Sequence, residues 1–118
     1  TMGHWSPDKE DWPKARAFFD AYKEKTGEAP DYLDAVLAYM SAEILEQAVA
    51  KAGLDKDALR ETISTETFDT INGPVRFEGV QNVTTPTMFL QFQDGAAQII
   101  HPPEMATSKF RPKQKWEQ

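Results

Sequence analysis

The chain has 118 residues, 40% of them hydrophobic and 27% charged, with a net charge of −6, an isoelectric point near 4.8 and no cysteine. This length allows one domain or a piece of one, and ordinary globular proportions argue against disorder. The acidity argues against a nucleic-acid surface, and the missing thiols exclude disulfides, thiol catalysis and Cys-ligated zinc. No run reaches the ~18 apolar residues of a membrane span. No signal peptide opens the chain and its first residue is Thr1, as in a processed or truncated product.

The opening TMGHWSPDKEDW is aromatic and turn-rich, with a short extended piece expected over Thr1 to Trp5. A first helix is predicted from about Trp12 to Thr26. Pro13 suits its first position and Gly27 its end, while Ala15, Phe18, Phe19 and Tyr22 fall at helical spacing on one apolar stripe. The longest helix is predicted from Asp31, its cap, to Ala52, with Gly53 closing it. Leu33, Val36, Leu37, Met40, Ile44 and Val49 form its main stripe, and interspersed alanines leave its other faces small. A helix of that kind packs between neighbours on both sides. A third, short helix follows from Asp55, its cap, to Ser64. Asn72-Gly73-Pro74 then signals a reversal, and Val75 to Phe77 alternates like a half-buried strand. Met88 to Gln93 and Ala96 to Ile100 flank Asp94-Gly95, which predicts a hairpin with a two-residue turn. The proline-rich stretch after Ile100 reads as an extended tail.

Residues able to carry chemistry are sparse. His4 and His101 sit beside turn residues, far apart in sequence, and neither has the helical partner that a metal site uses. There is no glycine-rich phosphate loop and no nucleophile elbow, so neither an enzyme nor a bound cofactor or metal is expected. Asp31 and Asp34 make a tempting pair, but capping explains first-turn acids more simply than a ligand role does. Glu43, Glu46 and Lys51 read as a solvated face, and Lys109, Arg111, Lys113 and Lys115 as a solvated tail rather than a basic patch. Phe18, Phe19, Phe89 and Phe92 read as core from their periodicity. Trp5, Trp12 and Tyr32 lie at segment junctions, where packing competes with lining a cleft.

Taken in order, the segments resemble the C-terminal portion of periplasmic branched-chain amino acid-binding proteins of bacterial ABC transporters. That family shows an F-x-x-x-Y-x-x-x-x-G-x-x-P run, matched by Phe18, Tyr22, Gly27 and Pro30. An Ala-Tyr pair in the long helix and A-x-x-x-A-G at its end are matched by Ala38-Tyr39 and by Ala48 to Gly53. The later strand, hairpin turn and proline-rich tail are matched by Gly73, Val75, Phe77, Asp94-Gly95 and Pro102-Pro103, and the terminus by Pro112 and Trp116.

The resemblance implies an α/β fold: the C-terminal fragment of a two-lobed type I periplasmic binding fold, three helices followed by a strand and a β-hairpin. Residues 1–118 would be the last part of a solute-binding domain, with about 1–70 in the N-terminal lobe and about 71–118 in the other. It implies a periplasmic solute-binding subunit of an ABC transporter, taking a branched-chain amino acid or similar small polar solute between its lobes and docking on a permease. The alternative is a ligand-sensing regulator of the same fold. His4 and Trp5 on the hinge side, with Tyr32 and Asp34 at the long helix start, are the implied ligand-binding residues. No nucleic-acid partner is implied. A piece of such a fold leaves apolar stripes uncovered and is expected to self-associate.

Overall fold

The fold is that of a computed structural model, which describes residues 1–9, 11–31 and 33–113. Tyr32, Lys115 and Trp116 lie outside those residues. Among the described residues, strand β1 (Met2–Gly3) precedes helices α1 (Pro13–Thr26), α2 (Asp34–Ala52) and α3 (Lys56–Thr65). Strands β2 (Thr67–Thr70), β3 (Gly73–Glu78), β4 (Gln81–Asn82), β5 (Met88–Gln93) and β6 (Ala96–His101) follow.

The helix ends follow from local chemistry. Pro13 opens α1, and the Gly27 N–H closes it on the Lys23 carbonyl at 2.9 Å. Asp55 caps α3 by accepting from the N–H groups of Asp57 and Ala58. Helix α2 starts at Asp34, later than expected, yet Asp31 still serves its start. The Asp31 carboxylate accepts from the N–H of Leu33 at 2.9 Å and of Ala35 at 3.1 Å.

The strands form two antiparallel sheets among the described residues, ordered β2-β3-β4 and β1-β5-β6. In the first, Thr67 faces Arg76 and Thr70 faces Gly73, and α2 and α3 pack on this hairpin. The second joins the two ends of the chain, since Gly3 pairs with Met88. Its β5–β6 turn is as predicted, with positive φ at both Asp94 (53°) and Gly95 (84°), the backbone that a two-residue hairpin needs. Strand β2 was not expected, because Thr-Phe-Asp-Thr is short and carries one large apolar residue. Its exposed–buried alternation appears only when Phe68 meets Val75 across the ladder.

The core runs through both sheets and the helices, with Trp5, Ala15, Val36, Ala48, Val75, Met88 and Ile99 fully buried. Two core expectations are corrected. Phe89 and Phe92 are 49% and 69% exposed, because Met88 and Leu90 take the covered face of β5. The tail is also more ordered than expected: a 3-10 turn spans Pro103–Met105, and the backbone beyond it docks on glutamines of β5. The radius of gyration is 16.9 Å and the extents are 63 × 32 × 24 Å. A compact chain of this length would have a radius near ~13.5 Å, so the molecule is elongated. The helices with β2–β4 make one end, and β1, β5 and β6 make the other.

Candidate functional site

Two segments connect those ends. The first leaves β1 through His4 and Trp5, and the second leaves β4 through residues 83–87. They meet side by side, where the Nδ1 of His4 lies 3.2 Å from the Pro86 carbonyl. A carbonyl only accepts, so Nδ1 carries a proton in this bond. The second segment is fixed by Asn82. Its Oδ1 accepts from the N–H groups of Thr84 (3.1 Å) and Thr85 (3.0 Å), while Nδ2 donates to the Thr85 hydroxyl at 2.7 Å. Thr84 in turn accepts from the Arg76 N–H at 2.8 Å, tying the segment to β3.

These segments and α2 enclose a groove of about 300 Å³ lined by His4, Leu37, Asn82, Thr85 and Thr87. Asp34 lies one helical turn before Leu37 and therefore on the same face of α2. His4 lines the groove, whereas Asp34, on the turn of α2 before Leu37, is not among its lining residues. Trp5 faces the other way. It is fully buried, its Nε1–H donates to the Ile71 carbonyl at 3.0 Å, and its ring meets the Phe18 ring edge-on at 5.9 Å. Tyr32, the fourth residue of the set, lies outside the described residues.

Asp31, just before α2, is a structural acid. The hydrogen bond from the Leu33 N–H, with a second from Ala35, holds its carboxyl below the usual carboxylate range despite the opposing effect of burial. The capping reading of Asp31 therefore has a direct physical basis, and the resemblance leaves Asp34 as the ligand candidate of the pair.

A second cavity, of about 600 Å³, lies between α1 and α2, with Phe18, Tyr22, Tyr39, Lys14, Glu43 and Ile71 among its walls. The Phe18 and Tyr39 rings meet at a tilt of 46° with centroids 4.6 Å apart. At its floor is a polar cluster. Glu43, read from the sequence as part of a solvated face, has a side chain only 14% exposed. Its Oε2 accepts from the Ile71 N–H at 2.8 Å, and its Oε1 lies 3.6 Å from Lys14 Nζ. Lys14 also donates to the Asp69 carbonyl at 2.7 Å and lies 3.0 Å from the Asp69 carboxylate. Burial opposes the lysine charge, but the bond to Asp69 and the charges of Glu43 and Asp69 outweigh it and raise its pKa. The solvated reading fails for Glu43 because the β2–β3 turn, 28 residues downstream, folds back onto that face of α2. It holds for Glu46, which is exposed, while Lys51 pairs with Glu66 at the surface.

The β2–β3 turn is itself buried. The Thr70 hydroxyl donates to the Gly73 carbonyl at 2.8 Å and accepts from the Asn72 N–H at 3.0 Å. The Asn72 side chain is 1% exposed, and neither polar atom of its amide meets a partner among the described residues. Also among the described residues, no group of three or more His, Asp or Glu side chains could hold a metal ion. None of the described helices is long and apolar enough to cross a membrane.

The chain is thus an α/β unit whose two ends are joined by paired connecting segments, with a small groove at the join. Residues 1–97 match the periplasmic binding protein family, and the chain belongs to that family. Among its relatives is Leu/Ile/Val-binding protein homolog 7 of Brucella melitensis, 27% identical over 105 residues that make up 84% of this chain and 26% of the relative. The Brucella suis protein of the same name gives the same identity and coverage. Among solved structures, the leucine-binding protein LivK of Thermotoga maritima superposes with a TM-score of 0.67 at 25% identity, over 83% of this chain and 28% of that one. The chain thus spans about a quarter of the length of the proteins it matches. The fold of this chain is therefore that of the corresponding part of a type I periplasmic binding protein.

Proposed function

We propose that the protein carrying this chain is an extracytoplasmic solute-binding subunit of an ABC transporter, which takes a branched-chain amino acid or similar small polar solute between two lobes and presents it to a permease. The observation that carries this reading is the groove at the join of the two connecting segments, lined by His4, Asn82, Thr85 and Thr87 from those segments and by Leu37 of α2, with Asp34 one helical turn before Leu37. A carboxylate suits the ammonium of an amino acid. Closure is favoured because the solute gains the second lobe's contacts only when the lobes meet.

In this reading His4, Tyr32 and Asp34 touch the solute, and Trp5 acts from within the core. The helices with β2–β4 form one lobe, and β5 and β6 belong to the other. The crossing then falls at residues 83–87, later than the boundary near residue 71 that the resemblance implies. The pairing of β3 with β2 supports the later position.

Calorimetric titration of the full-length polypeptide against branched-chain amino acids, small amides and aromatic acids tests the proposal. Micromolar or tighter binding to at least one is expected, with His4→Ala weakening it about tenfold, as loss of a hydrogen bond to a charged group predicts. The 118-residue chain alone is expected not to bind at that level. Half a cleft leaves half the solute's polar groups better served by water. Failure of the full-length protein to bind any of the panel would overturn the solute class.

A further inference from the structure

The Ile71 backbone is held in an unusual way. It lies in a buried turn, and both of its peptide groups are engaged by side chains from distant parts of the chain. Glu43 Oε2 takes its N–H at 2.8 Å, and the Trp5 indole N–H supplies its carbonyl at 3.0 Å. Trp5 immediately follows His4, whose ring borders the groove and bonds Pro86. Gly3, just before, is pinned to Met88 in the other sheet. The position of His4 is therefore set on one side by β-pairing and on the other by the Trp5–Ile71–Glu43 chain of hydrogen bonds.

We propose that Glu43 is a positioning residue for the groove: by fixing the Ile71 peptide it fixes Trp5, and through Trp5 the first connecting segment and His4. Three observations support this role over simple surface solvation. The side chain is largely buried, its carboxylate is oriented by Lys14, and Lys14 is itself anchored to Asp69 at the end of β2. Gln47, one turn along α2, bonds Asp69 in both directions, donating to its carbonyl at 3.0 Å and accepting from its N–H at 3.2 Å. The acceptor of the Ile71 N–H is thus held on a rigid frame, as a group that sets geometry must be. The consequence for solute binding rests on the function proposed above, whereas the effect on the connecting segment does not.

Hydrogen–deuterium exchange and solute titration on the full-length polypeptide separate the two. In Glu43→Ala, exchange is expected to rise about five- to tenfold at Ile71 and across residues 3–6, the effect of losing one net hydrogen bond. Exchange in α3 and at the β5–β6 turn should stay unchanged. Glu43→Gln keeps a side-chain oxygen for the Ile71 N–H and should remain within about twofold of wild type. Trp5→Phe, which removes the indole donor from the other side, should free the same 3–6 segment by a comparable factor. It decides the matter if Glu43→Ala fails to fold. Uniform acceleration over the whole chain, or no change at residues 3–6 in Glu43→Ala or Trp5→Phe, would overturn the proposal. With a solute that the wild type binds, Glu43→Ala should weaken binding about five- to tenfold and Glu43→Gln less than about twofold. If the wild type binds no solute of the panel, the function reading fails while the exchange measurements still decide the role of Glu43.

Discussion

At Gly73 the backbone φ is 76°, and the Trp12 indole lies against the residue's open side. An added Cβ would stand 2.7 Å from Trp12 Cδ1 and closer still to Nε1. Two penalties combine in Gly73→Ala, the left-handed backbone and the overlap with a buried ring. A loss of about 2–4 kcal/mol is expected, read as a lower urea midpoint with an unchanged slope. Asp31 gives a milder and pH-dependent case. Its carboxyl titrates below the ordinary value of 3.8 in the folded chain, so its stabilisation is present above that value and disappears as the pH falls through the lowered one. Asp31→Ala should therefore cost roughly 0.5–1 kcal/mol near neutral pH, the lower part of the range for an exposed cap. The two proteins should converge in stability once the pH has fallen below that lowered value, as chemical denaturation at several pH values would show.

Elements were legible in the sequence wherever a local rule decides them. Pro13, Gly27, Asp55 and the Asp94-Gly95 turn act within a few residues of themselves, and the ends they predict are observed. Residues whose role depends on a distant partner were not legible. Glu43 reads as surface until Ile71 arrives, and β2 reads as a loop until β3 pairs with it. The groove shows the same division: of the residues the resemblance implied, His4 lines it, but nothing local to residues 82–87 marks Asn82 and the threonines as its other wall. The tail belongs to this class as well. Gln91 donates to the Arg111 carbonyl at 2.7 Å and accepts from its N–H at 2.9 Å, so one side chain stands in for a neighbouring strand. Gln93 donates to the Lys109 carbonyl at 2.9 Å. Replacing both glutamines by alanine should release this segment. Trypsin cleavage after Lys109 should then become several-fold faster while the helical far-ultraviolet signal stays the same.

At the scale of the whole molecule, the elongated shape and the large apolar side chains left open have one physical reading. Besides Phe89 and Phe92, Tyr39 is 48% exposed at the mouth of the aromatic cavity. Open surface of this kind is costly in water, at about 25 cal/mol per Å². The isolated chain is therefore expected to self-associate, with light scattering giving a mass that rises with concentration; a constant monomer mass up to millimolar concentration would refute this. The hydrogen bond between His4 and Pro86 has a further consequence, in time rather than in space. It joins residues separated by 82 positions, and the Trp5 bond to Ile71 spans 66. A ribosome releases the amino-terminal partner of each bond long before the other. The helices and the β2–β3 hairpin can form from neighbouring residues, whereas β1 and His4 must wait for residues 86–89 to emerge before these contacts can form. Within residues 1–118 the strand that completes the β1–β5–β6 sheet is thus made before its partners, and until β5 arrives that pairing is open to other chains.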